Sequence, residues 1–397
     1  MSNVTQFDAF AQHCTGCQAC AQICPVRAIT MENASDGFLY PRVSESRCVD
    51  CGLCTKVCTM NSPAAQAIDL GVYSVQAKED AVLSQCSSGG VFLLLAQDCL
   101  KRGGLIFGAA FDPRDKQVKH CSTDQVPLDR LLRSKYVQSS MGTSYQQTAE
   151  ALARNRPVLF AGTPCQVRGL KQYLQVRKIT GPLLTVDFKC HGVPSPGFFR
   201  TMLHQMERKQ HAQVADVTFR EKDLGWHYKS LKIYFENGKV WKRPLQFHYY
   251  GYYFENDYIL RDSCYECEEY KNHISDLTLA DDWISPIEKD ERGTSLVLVH
   301  TKNGTNSFSA IQSQLRIRQL PANRIDMNVY CHNGYDRNKK QIWLKSWKEK
   351  GFAWVSGPLF WKSSGKAMYI KRLRFYASRI KNKVISWIKY KSREKGA

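Results

Sequence analysis

CTGCQACAQICP, residues 14–25, and CVDCGLCTKVC, residues 48–58, decide the N-terminal fold. Cys14, Cys17, Cys20 and Cys24 make one run, and Cys48, Cys51, Cys54 and Cys58 make the other. Each is spaced C-x2-C-x2-C-x3-C, the spacing that holds a cubane 4Fe-4S cluster. In tandem runs the fourth cysteine of each ligates the other cluster. The first set is therefore expected to be Cys14, Cys17, Cys20 and Cys58, and the second Cys48, Cys51, Cys54 and Cys24. Zinc is the competing reading, since paired cysteines also bind it. Zinc usually takes two C-x2-C pairs separated by a longer loop. A third cysteine at the same spacing and a fourth before Pro25 fit a cube corner better. Thr59 stands where the second run usually has proline, a position that supplies no ligand.

Crossed ligation ties residues 1–62 into one unit patterned like a two-cluster bacterial ferredoxin, so the chain is expected to move single electrons. At 397 residues, 43% of them hydrophobic, it is long enough for two or three domains with real cores. No apolar run of about 18 residues suggests a transmembrane helix, and the start, MSNVTQFDAF, does not read as a secretory signal. Sixteen cysteines then point to metal ligation in a reducing cytoplasm, not to disulfides. The net charge is +20, and Lys362 to Ala397 carries 12 Lys/Arg against one Glu. Charge gathered in a tail is not the footprint of a folded nucleic-acid-binding domain, so no nucleic acid is expected.

SPAAQAIDLG, from Ser62 to Gly71, reads as a linker. Beyond it strands and helices alternate. VYSVQAK, GLIFGAAF, PVLFAGTPC and PLLTVDFKC read as strands, the third running into a turn, while GGVFLLLAQDCLKRG and SYQQTAEALARN read as helices. Residues 72–190 are thus expected to form an α/β lobe with ligands at its strand ends. Residues 191–345 read as a mixed α+β lobe, with the helix FFRTMLHQMERKQ and the strands SLKIYFE and TSLVLVHT, the first turning at Asn237-Gly238. Residues 346–397 form a basic tail. Within it Ile370, Leu373, Ala377, Ile380, Val384 and Ile388 follow a three-four spacing, with Trp387 beside them. Such a helix suits the inner face of a membrane; docking on the protein body or on a second copy is the alternative.

Cys165 in AGTPCQVRGL and Cys190 in KCHGVPSP each follow a strand, and Cys264 and Cys267 form a C-x2-C. Spacing permits a third cluster from these four without demanding one; a redox dithiol at Cys264 and Cys267 is equally open. CSSGGVF, residues 86–92, opens a helix where backbone N–H groups and glycines suit a phosphate, or merely cap it. No G-x-G-x-x-G follows a strand.

DGFLYP, SSGGVF, GGLIFGAAFD, RSKYVQS, GTPCQVRGL, KCHGVPSP, FREKDLGW, LRDSCYEC, ISDLTLADDW and GTSLVLV, together with the cysteine runs, carry a more specific likeness. The chain resembles the bacterial branch of the coenzyme F-420 hydrogenase/dehydrogenase beta-subunit family, fused to a two-cluster ferredoxin. The resemblance implies FAD, held by Ser87, Ser88, Gly89 and Gly90 and by Lys135, Tyr136, Gln138 and Ser139. It also favours a third 4Fe-4S cluster on Cys165, Cys190, Cys264 and Cys267. His191 follows a candidate ligand, and an imidazole suits proton handling at the flavin; a hydrogen-bonded histidine supporting the ligands is the alternative. ADDW departs from the family's usual G-D-F-W-G, and Cys86 is an unexpected thiol before the serine loop. Cys86 reads as a buried, inert thiol, with contact to the flavin as the alternative, and Cys99, Cys121 and Cys331 read as structural. The implied activity is an iron-sulfur flavoenzyme that exchanges electrons between a protein such as a ferredoxin and a small molecule. Relatives with this fusion resemble those of surface-polysaccharide gene clusters, and the tail suits a lipid-linked intermediate. The alternatives are an electron-transfer subunit feeding a partner, a deazaflavin F-420 oxidoreductase, and a scaffold with structural clusters.

Overall fold

The computed structural model describes residues 13–61, 70–268, 274–321 apart from 285 and 289, and 336–365, together with 368, 370–373, 375 and 377. In the N-terminal unit, β1 (Ile29–Asn33) and β2 (Leu39–Val43) form an antiparallel hairpin. Two short helices, Ala19–Ile23 and Leu53–Val57, repeat one design: each is preceded by a left-handed residue, Gln18 (φ 62°) or Gly52 (φ 69°), and followed by the fourth cysteine of its run, Cys24 or Cys58. The chain therefore reverses inside each cysteine run. Glycine takes that conformation readily, whereas a side chain must be compensated. Gln18 is: its Oε1 accepts the Met141 N–H at 3.0 Å.

The main sheet has eight strands in the order β13-β3-β12-β11-β7-β6-β4-β5. They are β3 (Gly71–Ala77), β4 (Leu105–Asp112), β5 (Gln117–Ser122), β6 (Val158–Ala161), β7 (Leu183–Phe188), β11 (Leu277–Asp281), β12 (Ser295–Val299) and β13 (Leu315–Leu320). The central strands β4, β6, β7 and β11 run parallel, and antiparallel strands flank them on both sides. A smaller antiparallel sheet, β10-β9-β8, holds β8 (Val214–Glu221), β9 (Ser230–Phe235) and β10 (Val240–Pro244). Its β9–β10 turn passes through Gly238 (φ 78°), as Asn-Gly favours.

Three features differ from the sequence reading. The expected break at 190/191 does not bound a sheet, because β11, β12 and β13 return to the sheet begun by β3–β7. SLVLV is buried at all five positions, and an apolar run names a central strand without naming its sheet. Second, GTPC does not end in a turn. Thr163 and Gln166 form a capping box with Pro164 in the first turn, starting the helix Pro164–Arg177. Third, the start of the expected tail is part of a core. The helix Arg337–Ser356, broken at Gly351, buries Trp343 and Val355, and Leu359 and Phe360 follow them beside the small sheet. Ile370 and Leu373 of the expected apolar stripe are exposed, while Phe375, off that stripe, packs on Tyr228 and Phe247. Ile380, Val384, Trp387, Ile388 and Cys331 lie outside the described residues. Among the described residues no helix is long and apolar enough to cross a membrane.

Candidate iron-sulfur and cofactor site

The two N-terminal runs fold into two separate thiol pockets. Cys14, Cys17, Cys20 and Cys58 line one; Cys24, Cys48, Cys51 and Cys54 line the other. Each pocket thus takes three cysteines from one run and the fourth from the other, since each short helix hands its closing cysteine across to its twin. Burial, and then the neighbouring thiols, push Cys17 up to about 11 and Cys20 well above the usual thiol range. Thiols packed this way disfavour ionisation unless cationic metal offsets the charge, so the donor set fits a multi-iron cluster. Among the described residues no three His, Cys, Asp or Glu side chains converge on a single ion. The thiols line pockets and do not meet at a point.

The helix Pro164–Arg177 links the N-terminal unit to the main sheet. Gly169 lies on its face toward the first pocket, so close that a Cβ there would stand 3.0 Å from Cys17 Cβ. Ala19, Ile23 and Val57 share one core with Val167, Leu170 and Tyr145. Cys165 lies four residues earlier, about 6 Å along the axis on the same face.

Cys165 follows β6 and Cys190 follows β7, adjacent parallel strands, so both emerge at one sheet edge. The backbone then brings in the C-x2-C: Pro194 bridges Leu260, and Arg261 N–H donates to the Val193 carbonyl at 3.1 Å. A Cβ on Gly192 would stand 3.3 Å from Cys264 Cβ. Burial first, then the thiols of Cys190, Cys267 and Cys264, push Cys165 well up; burial and then Cys264 do the same to Cys190. The four cysteines that sequence spacing could not join are therefore neighbours. His191 lies beside them, its Nε2 3.0 Å from the Phe254 carbonyl and 3.2 Å from the Asp257 carboxylate.

The serine–glycine loop is built into the protein at both hydroxyls. Ser88 Oγ donates to the Thr294 carbonyl (2.7 Å), and Ser87 Oγ accepts the Ser134 N–H (2.8 Å). Gly89 passes too close to the Val75 carbonyl and Ser295 to carry a side chain, and Gly90 (φ 91°) opens the helix Val91–Lys101. Cys86, just before the serine–glycine loop, is buried, and burial raises its thiol to about 11. Cys99 is buried on that same helix and Cys121 half-buried on β5.

Cations surround this loop. Fully buried Arg220 donates to the Ser87 carbonyl (3.0 Å), the Tyr136 hydroxyl (3.3 Å) and Asp281 (3.0 Å). Lys222 donates to the carbonyls of Leu83, Ser88 and Arg292, and burial lowers it to about 8. Lys135 donates to the Arg130 and Leu132 carbonyls and is lowered to about 7 by burial. Arg220 and Lys222 thus bring positive charge to the Ser87 and Ser88 carbonyls, which favours an anionic ligand such as a diphosphate there. Arg220 and Lys222 carry no periodic signal, and their place in FREKDLGW was the only hint of them.

Gln138 and Ser139 are not brought to this loop. The segment from Ser134 to Met141 runs from Ser87 to the N-terminal unit. Gln138 donates to the Thr15 carbonyl at 2.9 Å, and Ser139 Oγ lies between His120 (3.2 Å) and Gln166 (2.9 Å). The eight expected flavin residues therefore split: Ser87, Ser88, Gly89, Gly90 and Tyr136 gather by Arg220 and Lys222, the Lys135 ammonium turns to the Arg130 and Leu132 carbonyls, and Gln138 and Ser139 hold the interface.

Residues 155–323 match the family model for the C-terminal part of the coenzyme F420 hydrogenase/dehydrogenase beta subunit, and residues 13–62 match the 4Fe-4S dicluster domain. No curated protein matches the chain. Among solved structures, a chain of a xenon derivative of the F420-reducing NiFe hydrogenase complex from Methanosarcina barkeri is 16% identical. The match covers 72% of this chain and 94% of that one with a TM-score of 0.47, a likeness too low to carry argument. Residues 155–323 thus carry the C-terminal part of a coenzyme F420 hydrogenase/dehydrogenase beta subunit, joined to an N-terminal 4Fe-4S dicluster domain.

Proposed function

We propose that this protein is an iron-sulfur flavoprotein oxidoreductase coupling a one-electron protein carrier to a two-electron small-molecule substrate. The observation that supports it best is the helix Pro164–Arg177: Gly169 packs on Cys17 of the first thiol set, and Cys165 joins the third set one turn away. In this reading Cys14, Cys17, Cys20 and Cys58 hold one 4Fe-4S cluster, Cys24, Cys48, Cys51 and Cys54 a second, and Cys165, Cys190, Cys264 and Cys267 a third. FAD lies along the Ser87–Gly90 loop. Bound clusters supply one-electron steps and a flavin either one or two, which is what such coupling needs. Lys135, Arg220 and Lys222 neutralise the anionic cofactor, and Tyr136 is held for it by Arg220. Gln18 and Gln22 fix the N-terminal unit on the sheet by accepting the Met141 and Tyr145 N–H groups. His191, anchored at Phe254 and Asp257, positions the Cys190 loop. Its ring and that of Tyr136 both touch Phe254, so the proton role assigned to it would be exercised from there.

The second thiol set reaches the surface at exposed Cys51, beside Val49, which is 61% exposed. That exposure also favours the alternative of an electron-transfer subunit for a partner enzyme. The substrate we assign is a surface-polysaccharide intermediate, met at the membrane by the basic tail; its support is the tail's charge and the fusion alone. The test is iron, acid-labile sulfide and flavin per chain after anaerobic purification. About twelve irons with one FAD support the full reading. About eight remove the third cluster, and reconstituted protein without flavin overturns the flavoenzyme.

A further inference from the structure

Arg261 is fully buried three residues before Cys264, and its guanidinium faces the first thiol set. It donates to the Cys14 carbonyl (2.6 Å), the Leu39 carbonyl (2.9 Å), Gln138 Oε1 (3.0 Å) and the Cys14 sulfur itself (3.5 Å). The rings of Tyr40 and Phe38 cover it at 4.1 and 5.3 Å. The nearby carboxylates Asp36 and Asp262 pair with Lys340 instead, at 3.2 and 2.8 Å. Glycine at position 16 makes room, since a Cβ there would stand 2.8 Å from the guanidinium. A buried cation without a carboxylate is costly unless another anion answers it.

A four-iron cube held by four thiolates is such an anion, more negative by one unit when reduced, and its potential follows nearby charge and hydrogen bonds to sulfur. Buried Arg168 faces Cys58 of the same set from the helix Pro164–Arg177. Among the described residues, the second set is lined by Asp50 and by no Arg or Lys. Solvent at Cys51 also stabilises added charge there, so a fixed guanidinium is what can favour the inner set.

We propose that Arg261 is a potential-setting residue. Its fixed charge beside Cys14 raises the reduction potential of the cluster held by Cys14, Cys17, Cys20 and Cys58. That favours an electron on the inner set, on the side facing Cys264, over the surface set. The inference rests on reading both N-terminal sets as 4Fe-4S clusters. One electron is added, supplied by the one-electron carrier, and no proton is taken up, because the guanidinium stays protonated throughout.

Two variants of the full chain test this by potentiometric titration followed by EPR, with iron per chain as the loading control and Cys51→Ser used to assign the signals. Arg261→Gln removes the charge. Gln138→Glu keeps Arg261 and sets a carboxylate against it, so it neutralises the charge without removing the guanidinium's packing. Either variant is expected to weaken reduction of the first cluster at least tenfold, about 59 mV for one electron, and to leave the second unchanged. A midpoint that falls in Arg261→Gln but holds in Gln138→Glu would assign the effect to packing. A parental first-cluster midpoint in either variant that loads full iron overturns the proposal. A parent chain that takes up no iron overturns the cluster reading beneath it as well.

Discussion

Gly169→Ala puts a methyl where the helix Pro164–Arg177 meets the first thiol set. The new Cβ would stand 2.8 Å from Tyr145 Oη, 3.0 Å from Cys17 Cβ and 3.2 Å from Cys17 Sγ. Carbon contacts are optimal at about 3.5–4.0 Å, so these groups must part by several tenths of an ångström or more. Neither neighbour gives way easily. Tyr145 is fully buried with its hydroxyl on the Gln166 carbonyl at 2.9 Å, and Cys17 stands between left-handed Gly16 and Gln18. Alanine gains about 0.8–1.0 kcal/mol over glycine in a helix. Overpacking costs about 1–3 kcal/mol, and disturbing the Tyr145 hydrogen bond about 1 kcal/mol more. The net loss is about 1–3 kcal/mol, and at about 2 kcal/mol a closed contact opens roughly 30-fold more often. Reconstituted G169A is therefore expected to lose its visible cluster absorbance in mild urea up to about 30-fold faster, with unchanged far-UV circular dichroism. Adding Tyr145→Phe deletes the atom at 2.8 Å and should recover part of the loss. Bleaching within about twofold of the parent, at full iron content, would refute the packing of this helix on the thiol loop.

Cys190→Ser is expected to lower iron from about twelve to about eight per chain while the two N-terminal EPR signals persist; unchanged iron would return the third set to a dithiol or structural role. Lys135, lowered by burial to about 7, gives two pH signatures. An unfolded lysine titrates near about 10.4, so between about 7 and 10 the unfolded chain holds a proton the folded chain has released. Stability of the cofactor-free protein should rise with pH across that window, and Lys135→Met should flatten the slope in urea titrations. FAD affinity should move the other way, weakening as pH rises through about 7 because the diphosphate prefers the ammonium; a fluorescence titration with a flat profile would place the flavin elsewhere. Deleting residues 366–397 removes 11 Lys/Arg and one Glu and should abolish co-sedimentation with vesicles of anionic lipid. Unchanged co-sedimentation would end the membrane role.

What could be read from the sequence was what short-range geometry dictates. The eight N-terminal cysteines announce their pairing because turn, short helix and closing cysteine all lie within eleven residues, and Gly52 even marks the left-handed turn. The Asn237-Gly238 hairpin and the helices Val91–Lys101 and Pro196–Gln210 were legible for the same reason. The helix Pro164–Arg177 had its signal in T-P-C-Q, a capping box with proline in the first turn, although the strand before it drew attention instead. Long-range placement was hidden. Strand β12 reads alike in either sheet, and the third thiol set forms only because residues 193–195 pair with 259–261, a contact no spacing encodes. Gln138 and Ser139 sit in one polar segment with Lys135 and Tyr136, but an extended chain rises about 3.3 Å per residue. Three residues are thus enough to carry the segment about 10 Å, away from the serine loop and toward the cysteines. Arg261 left no trace either, since one arginine before a C-x2-C looks like any surface charge until the fold closes Tyr40 and Phe38 over it. That difference is physical: cluster ligands are specified by local spacing, whereas the charge beside them is specified by burial, which only the assembled core supplies.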